Sequence, residues 1–401
     1  MQGPNCPNCL VGTMTSFYEI EPVPVHSVAL VRSYESAINF PTGRIELAIC
    51  GNCGFISNIA FDEKKMNYSP DCEETQGFSP TFNSFHRRLA SDLIARFGLR
   101  NKTILEIGCG KGEFISLICS MGSNRGIGYD PAFVPGRAPA EGGEAVTFYQ
   151  EFYSERSKNI DADFIACKMT LEHIPDTHAF VSTVRRAIGD KVPTIFFQVP
   201  DMGRVLKDTA FWDVYHEHCS YFTEDSLRTL FVLCGFNVLE TWRDYDDQYL
   251  MITAVPATGD SNTQTDHVSG TGLELVRTFT ENVERRTDFW KHTLEDAARD
   301  GKKVVLWGSG SKAVSFLSFM GDMGRDVIEY VVDINPYRQG CFMPGTGQTI
   351  VGPEFLDNYN PDLVIAMNSI YIPEIEADLR RLGVLPNLLP IEAGQISHMA
   401  S

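Results

Sequence analysis

Positive charge is scarce in this sequence. Its 401 residues hold 34 lysines and arginines against 52 aspartates and glutamates, a formal net charge of -18 at pH 7. A surface so negative repels polyanions, which argues against a nucleic-acid polymer as partner. A phosphate-bearing small molecule would need a local basic pocket. No apolar run approaches the ~20 residues of a membrane-spanning helix, and no charged-then-apolar leader opens the chain. A membrane partner is therefore not expected, and a cytoplasmic location is. Repeats of fixed period and low-complexity tracts are also missing. Hydrophobic residues are not: at 43% of this length they supply two or three cores.

Of eleven cysteines, Cys72, Cys109, Cys119, Cys167, Cys219, Cys234 and Cys341 are scattered among apolar segments, as buried free thiols are. The other four form Cys6-Pro-Asn-Cys9 and Cys50-Gly-Asn-Cys53. In a reducing compartment such pairs point to metal and not to disulfides. Each C-x-x-C turn presents two sulfurs, and together they supply a closed four-cysteine shell for structural Zn²⁺. Two unrelated pairs, or a redox dithiol, is the alternative.

Residues 1–62 carry these pairs around strand-like stretches, Val28 to Val31 and Arg44 to Ile49, and read as a small zinc-binding β module. From about residue 80 helix and strand alternate. Phe82–Phe97 and Glu113–Met121 have helical spacing; Thr103–Ile107, Arg125–Tyr129, Ala145–Phe148, Ala162–Ala166 and Pro193–Val199 read as strands. The fold class is α/β, with a central doubly wound, Rossmann-like parallel sheet in residues 63–258. A polar stretch from Pro256 to Thr265 marks a linker. A long amphipathic helix from about Leu273 to Asp300 follows. Strands at Val304–Trp307, Tyr330–Asp333 and Leu363–Ala366 predict a second Rossmann-like α/β domain in residues 272–401.

The segment Glu106-Ile-Gly-Cys-Gly-Lys-Gly112 joins a strand to a helix through glycines that let a ligand approach bare backbone. An acid inside the strand, the E-x-G-x-G-x-G spacing, and Asp130 at the end of the next strand favour S-adenosylmethionine over a dinucleotide. Here the chain resembles class I methyltransferases. The resemblance implies Glu106, Gly108, Gly110 and Asp130 as cofactor residues, with Glu151 and Phe152 reaching the adenine; a nicotinamide site is the alternative.

Phe211-Trp-Asp-Val-Tyr-His-Glu-His-Cys-Ser-Tyr-Phe222 gathers two histidines, a glutamate and two tyrosines before a helix that Thr223 can cap. It holds a base, an orienting carboxylate and a hydroxyl donor for an oxyanion, parts suited to removing a proton beside a carbonyl. The H-E-x-x-H zinc pattern is not met, since His216 and His218 are two apart. Packing at a domain junction is the plainer reading of any one of these residues. His173, in Thr170-Leu-Glu-His-Ile-Pro-Asp176, follows the fourth strand of the sheet and can face the same pocket.

The order of cysteine knuckles, E-I-G-C-G-K-G, L-E-H-I-P-D, Y-H-E-H-x-x-Y-F and a second Rossmann-like unit resembles the nucleotide-sugar C-methyltransferases over nearly the whole chain. That family methylates the carbon beside the ketone of an NDP-4-keto-6-deoxyhexose. The resemblance implies His218 as the base that forms the enolate, Glu217 as its partner, and Tyr215 with His173 near the oxygen. Tyr68 and Ser79 would lie in a lid over the cofactor, formed with Gln76 to Phe82. It further implies a C-terminal domain that holds the substrate's nucleotide, with Ser309, Ser311, Lys312 and the turn Pro344 to Gly347 as contacts to a diphosphate; Arg204 and Lys207 either serve the same anion or form a solvated charged face. Read alone, Gly308-Ser-Gly-Ser-Lys-Ala313 with Asp333 could also be a dinucleotide site. Trp307 to Lys312 and Ala366 to Tyr371 depart from the pattern of the antibiotic-sugar members, which leaves the sugar open. The expected partner is a small nucleotide sugar and the expected assembly a monomer or homodimer. The rivals are a methyltransferase of this fold acting on oxygen, nitrogen or a non-sugar ketone, and a binding protein that retains the fold without catalysis.

Overall fold

The computed structural model describes residues 3–66, 71–155, 161–257 and 271–394. Tyr68 and most of the expected linker lie outside them. Among the described residues strands form three sheets, and no helix is long and apolar enough to cross a membrane.

The N-terminal module pairs β1 (Met14–Pro24), β2 (Thr42–Cys50) and β3 (Ile56–Asn58) in antiparallel order. In β2 the inward positions Ile45 and Leu47 alternate with half-exposed Arg44 and Glu46, the period-2 pattern of a sheet with one buried face. Val28–Val31 is not one of its strands; Ala29 and Val31 make only isolated bridges, to Cys72 and Phe342. Those bridges use the segment to join the other two domains.

The central sheet begins with β4 (Thr103–Ile107), β5 (Arg125–Tyr129), β6 (Val146–Tyr149), β7 (Phe164–Lys168) and β8 (Thr194–Pro200), all parallel. Then β9 (Ser220–Tyr221) leaves this sheet and pairs with β3, Ile56 opposite Tyr221 and Ser57 opposite Ser220. The chain returns as a hairpin, β10 (Phe236–Asp244) and β11 (Tyr249–Pro256), with β11 antiparallel to β8. The order β10-β11-β8-β7-β4-β5-β6 puts a switch point between β4 and β7, where open α/β sheets bind ligands. The expected doubly wound sheet thus carries an antiparallel strand near one edge.

The third sheet comprises β12 (Val304–Trp307), β13 (Ile328–Val332), β14 (Thr349–Val351), β15 (Leu363–Ala366) and β16 (Asn387–Pro390), all parallel. Its order β14-β13-β12-β15-β16 has a second switch point, between β12 and β15.

The three sequence regions do not have three separate cores. One buried cluster runs from Ile45, Leu47 and Ile56 through Phe211, Trp212 and Tyr221 to Phe279, Trp290 and Phe316. The helix Thr271–Arg299 is what bridges them, because it turns Val276, Phe279, Val283 and Trp290 to one side at helical spacing. Phe279 is fully buried and meets Tyr18 of β1 edge to face, with ring centroids 5.3 Å apart. Truncating a buried phenylalanine to alanine costs about 3–5 kcal/mol. Phe279→Ala should therefore lower the thermal unfolding midpoint by several degrees and loosen the N-terminal module; an unchanged midpoint in calorimetry would refute this packing.

Candidate functional site

The four paired cysteines converge. Their sulfurs all lie within 4.8 Å of one another, with Cys6–Cys53 and Cys9–Cys50 each 3.7 Å apart. A tetrahedron with arms of ~2.3 Å has edges of ~3.8 Å, so the donor set and its spacing fit a zinc ion. Each knuckle turns a backbone N–H toward its own first sulfur, Cys9 onto Cys6 at 3.5 Å and Asn52 onto Cys50 at 3.4 Å. The Asn8 amide docks the first knuckle on the central domain, donating to the carbonyl of Ser226 at 3.0 Å.

At the first switch point the glycine loop after β4 meets the loop after β7. Gly108 has φ 71°, and a Cβ there would stand 2.0 Å from Thr170 Oγ1, so both the conformation and the close approach require glycine. Asp130 accepts from the backbone N–H groups of Gly110 at 2.8 Å and Ala132 at 2.7 Å, which fixes its carboxylate beside the loop. Glu106 is buried, and its Oε2 meets no hydrogen-bond partner among the described residues. Burial outweighs the nearby Lys168 and raises it to about 7. A buried carboxyl group with one unpartnered oxygen, beside bare loop backbone, fits the ammonium end of an amino-acid-bearing cofactor. Ser79 caps the helix Pro80–Phe97 and donates to Glu374 of the C-terminal domain at 2.8 Å. Glu151 and Phe152 are exposed past β6, Phe152 by 68%.

The histidine-rich segment lies against the turn Leu171–His173 that follows β7. His173 Nδ1 donates to the Glu217 carbonyl at 2.9 Å, and the Cys219 N–H donates to the Glu172 carbonyl at 3.0 Å. His218 packs edge-on against His173 and tilted against Tyr215, with ring centroids 4.8 and 4.2 Å apart. Burial, then the neighbouring His173 and Lys312, push His218 well below the usual histidine range, so its ring is neutral at pH 7. His216 points elsewhere, onto Gly43 of β2 and toward Phe61. The Glu217 carboxylate does not reach His218 as expected. Successive side chains diverge here, and Glu217 accepts from Ser27 N–H at 2.7 Å and Ser27 Oγ at 2.5 Å, with His26 Nδ1 at 3.5 Å. Burial raises its carboxyl, but the bonds from His26 and Ser27 outweigh that and leave it below the usual range.

A cleft of about 1350 Å³, counted out to its mouth, separates the two switch points. Met169, Pro200, Tyr215 and Tyr249 line the central-domain wall; Gly308, Ser311, Lys312 and Asn368 line the opposite one, and Glu74 to Ser79 form its rim. Met169 sits at φ 50°, a left-handed conformation unusual for a side chain and found at this wall. Ser311 and Lys312 open the helix Ser311–Val327, which begins without a side-chain cap, so its positive end faces the cleft. Ser309 is turned away: its N–H and Oγ both bond Asp333, at 2.9 and 2.5 Å. Lys207 is exposed outside the cleft, because its helix, Met202–Asp208, buries Met202, Val205 and Leu206 instead. Arg204 lines the cleft but is braced by Asp213 at 2.6 Å, Asp208 at 3.2 Å and Glu392 at 3.8 Å. Asp213 also pairs with Lys312. The turn Pro344 to Gly347 packs on Pro24 and Tyr34 of the N-terminal module.

Residues 82–241 match the family model of a methyltransferase domain, and residues 260–383 match that of a C-methyltransferase C-terminal domain. These two matches, in this order, support an S-adenosylmethionine-dependent C-methyltransferase. It is similar to the C-methyltransferase NovU of Streptomyces niveus, 27% identical over 304 residues that make up 72% of each chain. Among solved structures it is similar to the 1,6-didemethyltoxoflavin N1-methyltransferase of Burkholderia thailandensis, 21% identical over 43% of this chain and 78% of that one, with a TM-score of 0.35. A magnesium protoporphyrin IX methyltransferase from Synechocystis is 16% identical over 44% and 84%, also with a TM-score of 0.35.

In this methyltransferase several residues at the site escaped the sequence reading although they sit inside its motifs. Glu172 stands next to His173, and Asp213 two residues before Tyr215. Glu73, Asn335 and Arg338, which tie the rim to the C-terminal domain, carried no motif at all: Arg137 grips the Glu73 carboxylate at 3.0 and 3.1 Å, Asn335 donates to it at 3.1 Å, and Arg338 donates to its carbonyl. Asp213 is held below the usual carboxylate range, its burial being outweighed by Lys312 and Arg204. Removing one partner of such a network leaves a desolvated charge and costs on the order of 3 kcal/mol. Asp213→Ala should lower the unfolding midpoint, and Lys312→Met in the same chain should recover part of the loss; two purely additive losses would sink the pairing.

Proposed function

We propose that this C-methyltransferase acts on a nucleotide-linked keto-deoxysugar, with His218 removing the proton from the carbon beside the ketone. The observation that carries this reading is the meeting of His173, Tyr215 and His218 behind one wall of a cleft whose other wall is a helix N-terminus with Ser311 and Lys312. Such a cleft can take the sugar at the first wall and an anionic nucleotide at the second.

A neutral, buried imidazole is in the protonation state a general base requires. The Tyr215 phenol, pushed well above its ordinary range by burial, stays protonated and can donate to an enolate oxygen. His173 is fixed with its proton on Nδ1, because its partner there is a carbonyl, which can only accept. S-adenosylmethionine, held by Glu106, Gly108, Gly110, Asp130 and the rim residue Ser79, supplies an activated methyl group on a cationic sulfur. The protein's own task is then to generate a carbon nucleophile and to align it.

A screen of NDP-4-keto-6-deoxyhexoses with labelled S-adenosylmethionine, the new methyl being located by NMR, tests the substrate. The proton beside the ketone should exchange with solvent without the methyl donor, and His218→Ala should slow that exchange by ~10²- to 10⁴-fold. A methyl found on oxygen or nitrogen with no exchange sinks the carbon acceptor, and a His218→Ala rate within a few-fold of the parent sinks the base.

We also propose that Cys6, Cys9, Cys50 and Cys53 hold one structural Zn²⁺, which leaves no open position for chemistry. Metal analysis should give one zinc per chain. Cys50→Ser should lose it, together with much of the methyl transfer, since β3 and β9 hang on the same module. A full zinc content in Cys50→Ser would overturn this assignment.

A further inference from the structure

With the Glu217 carboxylate committed to Ser27 and His26, a different group is placed to orient His218. Neither carboxyl oxygen of Glu172 nor Nδ1 of His218 meets a hydrogen-bond partner among the described residues. Both residues are buried, Glu172 at 1% exposure and His218 at 4%. A Glu172 oxygen and a His218 ring nitrogen lie within 4.8 Å of each other. The two segments are laced together by the Cys219 N–H to Glu172 carbonyl bond and by His173 Nδ1 on the Glu217 carbonyl. Buried polar groups in folded proteins are almost always paired. Here a buried carboxyl group and a buried imidazole, each with an unpartnered polar atom, lie within 4.8 Å of each other.

We propose that the Glu172 carboxylate is the positioning partner of His218, accepting its Nδ1 proton and so leaving Nε2 to take the proton from the substrate carbon. The inference rests on the reading of His218 as the base. In the step, the C–H bond breaks, its electron pair stays on carbon and delocalises onto the ketone oxygen, and the proton bonds to Nε2. The imidazolium so formed keeps its Nδ1–H on Glu172, whose negative charge compensates it in a site with little water. The proton later leaves Nε2 for solvent.

The groups facing this pair are His173 from the same turn, Tyr215 and Cys219 from the histidine-rich segment, Cys167 from β7, Tyr249 from β11 and Lys312 from the C-terminal domain, with Glu217 acting on His173. Burial raises the Glu172 carboxyl to about 8. It is therefore protonated and uncharged below that pH, and ionises, completing the pair, above it. Base strength at His218 should rise with pH through this range.

The full-length zinc-loaded protein with ¹⁵N-labelled histidine rings gives the test, the His218 signals being assigned by their loss in His218→Gln. The parent should show His218 protonated on Nδ1 and not on Nε2, with a step in its ring shifts near pH 8. Glu172→Gln should keep the tautomer and abolish the step, and Glu172→Leu should release the proton to Nε2. Both variants should bind S-adenosylmethionine as the parent does, yet slow solvent exchange at the carbon beside the ketone of an NDP-4-keto-6-deoxyhexose by about ten-fold or more. Glu172→Asp should restore part of that rate. The same titration in parent and Glu172→Gln, or an unchanged tautomer in Glu172→Leu, overturns the inference. So does a second metal ion per chain that Glu172→Gln removes, since the carboxylate would then be a ligand. Failure of the underlying base reading is distinguishable: His218→Ala would leave exchange intact whatever Glu172 does.

Discussion

Backbone pairing of Ser220 and Tyr221 with Ser57 and Ile56 is the constraint on which the site depends. The segment from Phe211 to Cys219 has two short turns, Phe211–Asp213 and one at His216–Glu217, and no strand of its own. Its shape comes from what it is fastened to. At its end β9 completes the N-terminal sheet, in its middle Glu217 holds Ser27, and at its start Phe211 and Trp212 are sunk in the core shared by all three regions. Ser27 Oγ also bonds Ser311 Oγ at 2.6 Å, so one serine links the N-terminal module, the histidine-rich segment and the helix that faces the cleft. A sheet of some sixty residues buries too little to be rigid unaided. Closing its ends with the cysteine cluster, and sharing its inner face with Phe279 and Trp290, makes it stiff enough to position side chains in another domain.

The second consequence of the architecture is that two switch points confront each other. The loops after β4 and β7 meet at Gly108 and Thr170, and those after β12 and β15 at Gly308 and Met367. Each sheet would offer a ligand crevice alone; facing, they enclose one cleft. The seams at its sides are polar. Tyr245 and Tyr371 share a hydroxyl hydrogen bond at 2.6 Å, Gln248 and Asn368 exchange two at 3.1 and 3.0 Å, and Ser79 and Thr81 both donate to Glu374. Polar seams part with less loss than an apolar core, because water can take over their hydrogen bonds.

Much of this was legible from local pattern. The parallel strands and the cofactor loop follow from short apolar runs and from glycines whose positions have a steric reason, and the cysteine pairs from their spacing. What escaped depended on direction. Adjacent residues in a turn point apart, so proximity in sequence made Glu217 look like the partner of His218 while its carboxylate went to Ser27. Val28 to Val31 alternates like a strand but spends its backbone on bridges to two other domains. Lys207 shares a helix with Arg204 but stands exposed outside the cleft that Arg204 lines. The return of β9 to β3, across more than 160 residues of intervening chain, has no local signature, since two residues carry no periodicity.

The charge balance of the cleft decides which groups can recognise an anion. Arg204 and Lys312 both line it, yet three carboxylates, Asp208, Asp213 and Glu392, lie within 4.0 Å of one or the other. Two cations facing three anions leave a local field that does not attract phosphate, and the chain as a whole is strongly negative. Arg204 therefore braces the wall, with Asp213 as the joint between it and Lys312. On the reading proposed above, a diphosphate would instead meet the uncapped N-terminus of the helix Ser311–Val327 and Arg338, which lines the cleft and donates to the carbonyls of Ser309 and Glu73. Arg338 is held by carbonyls, whereas Arg204 is paired with carboxylates. On that reading the anion would be selected by hydrogen-bond geometry at the end of a helix, and a negative surface would be tolerated because long-range attraction contributes little to the binding.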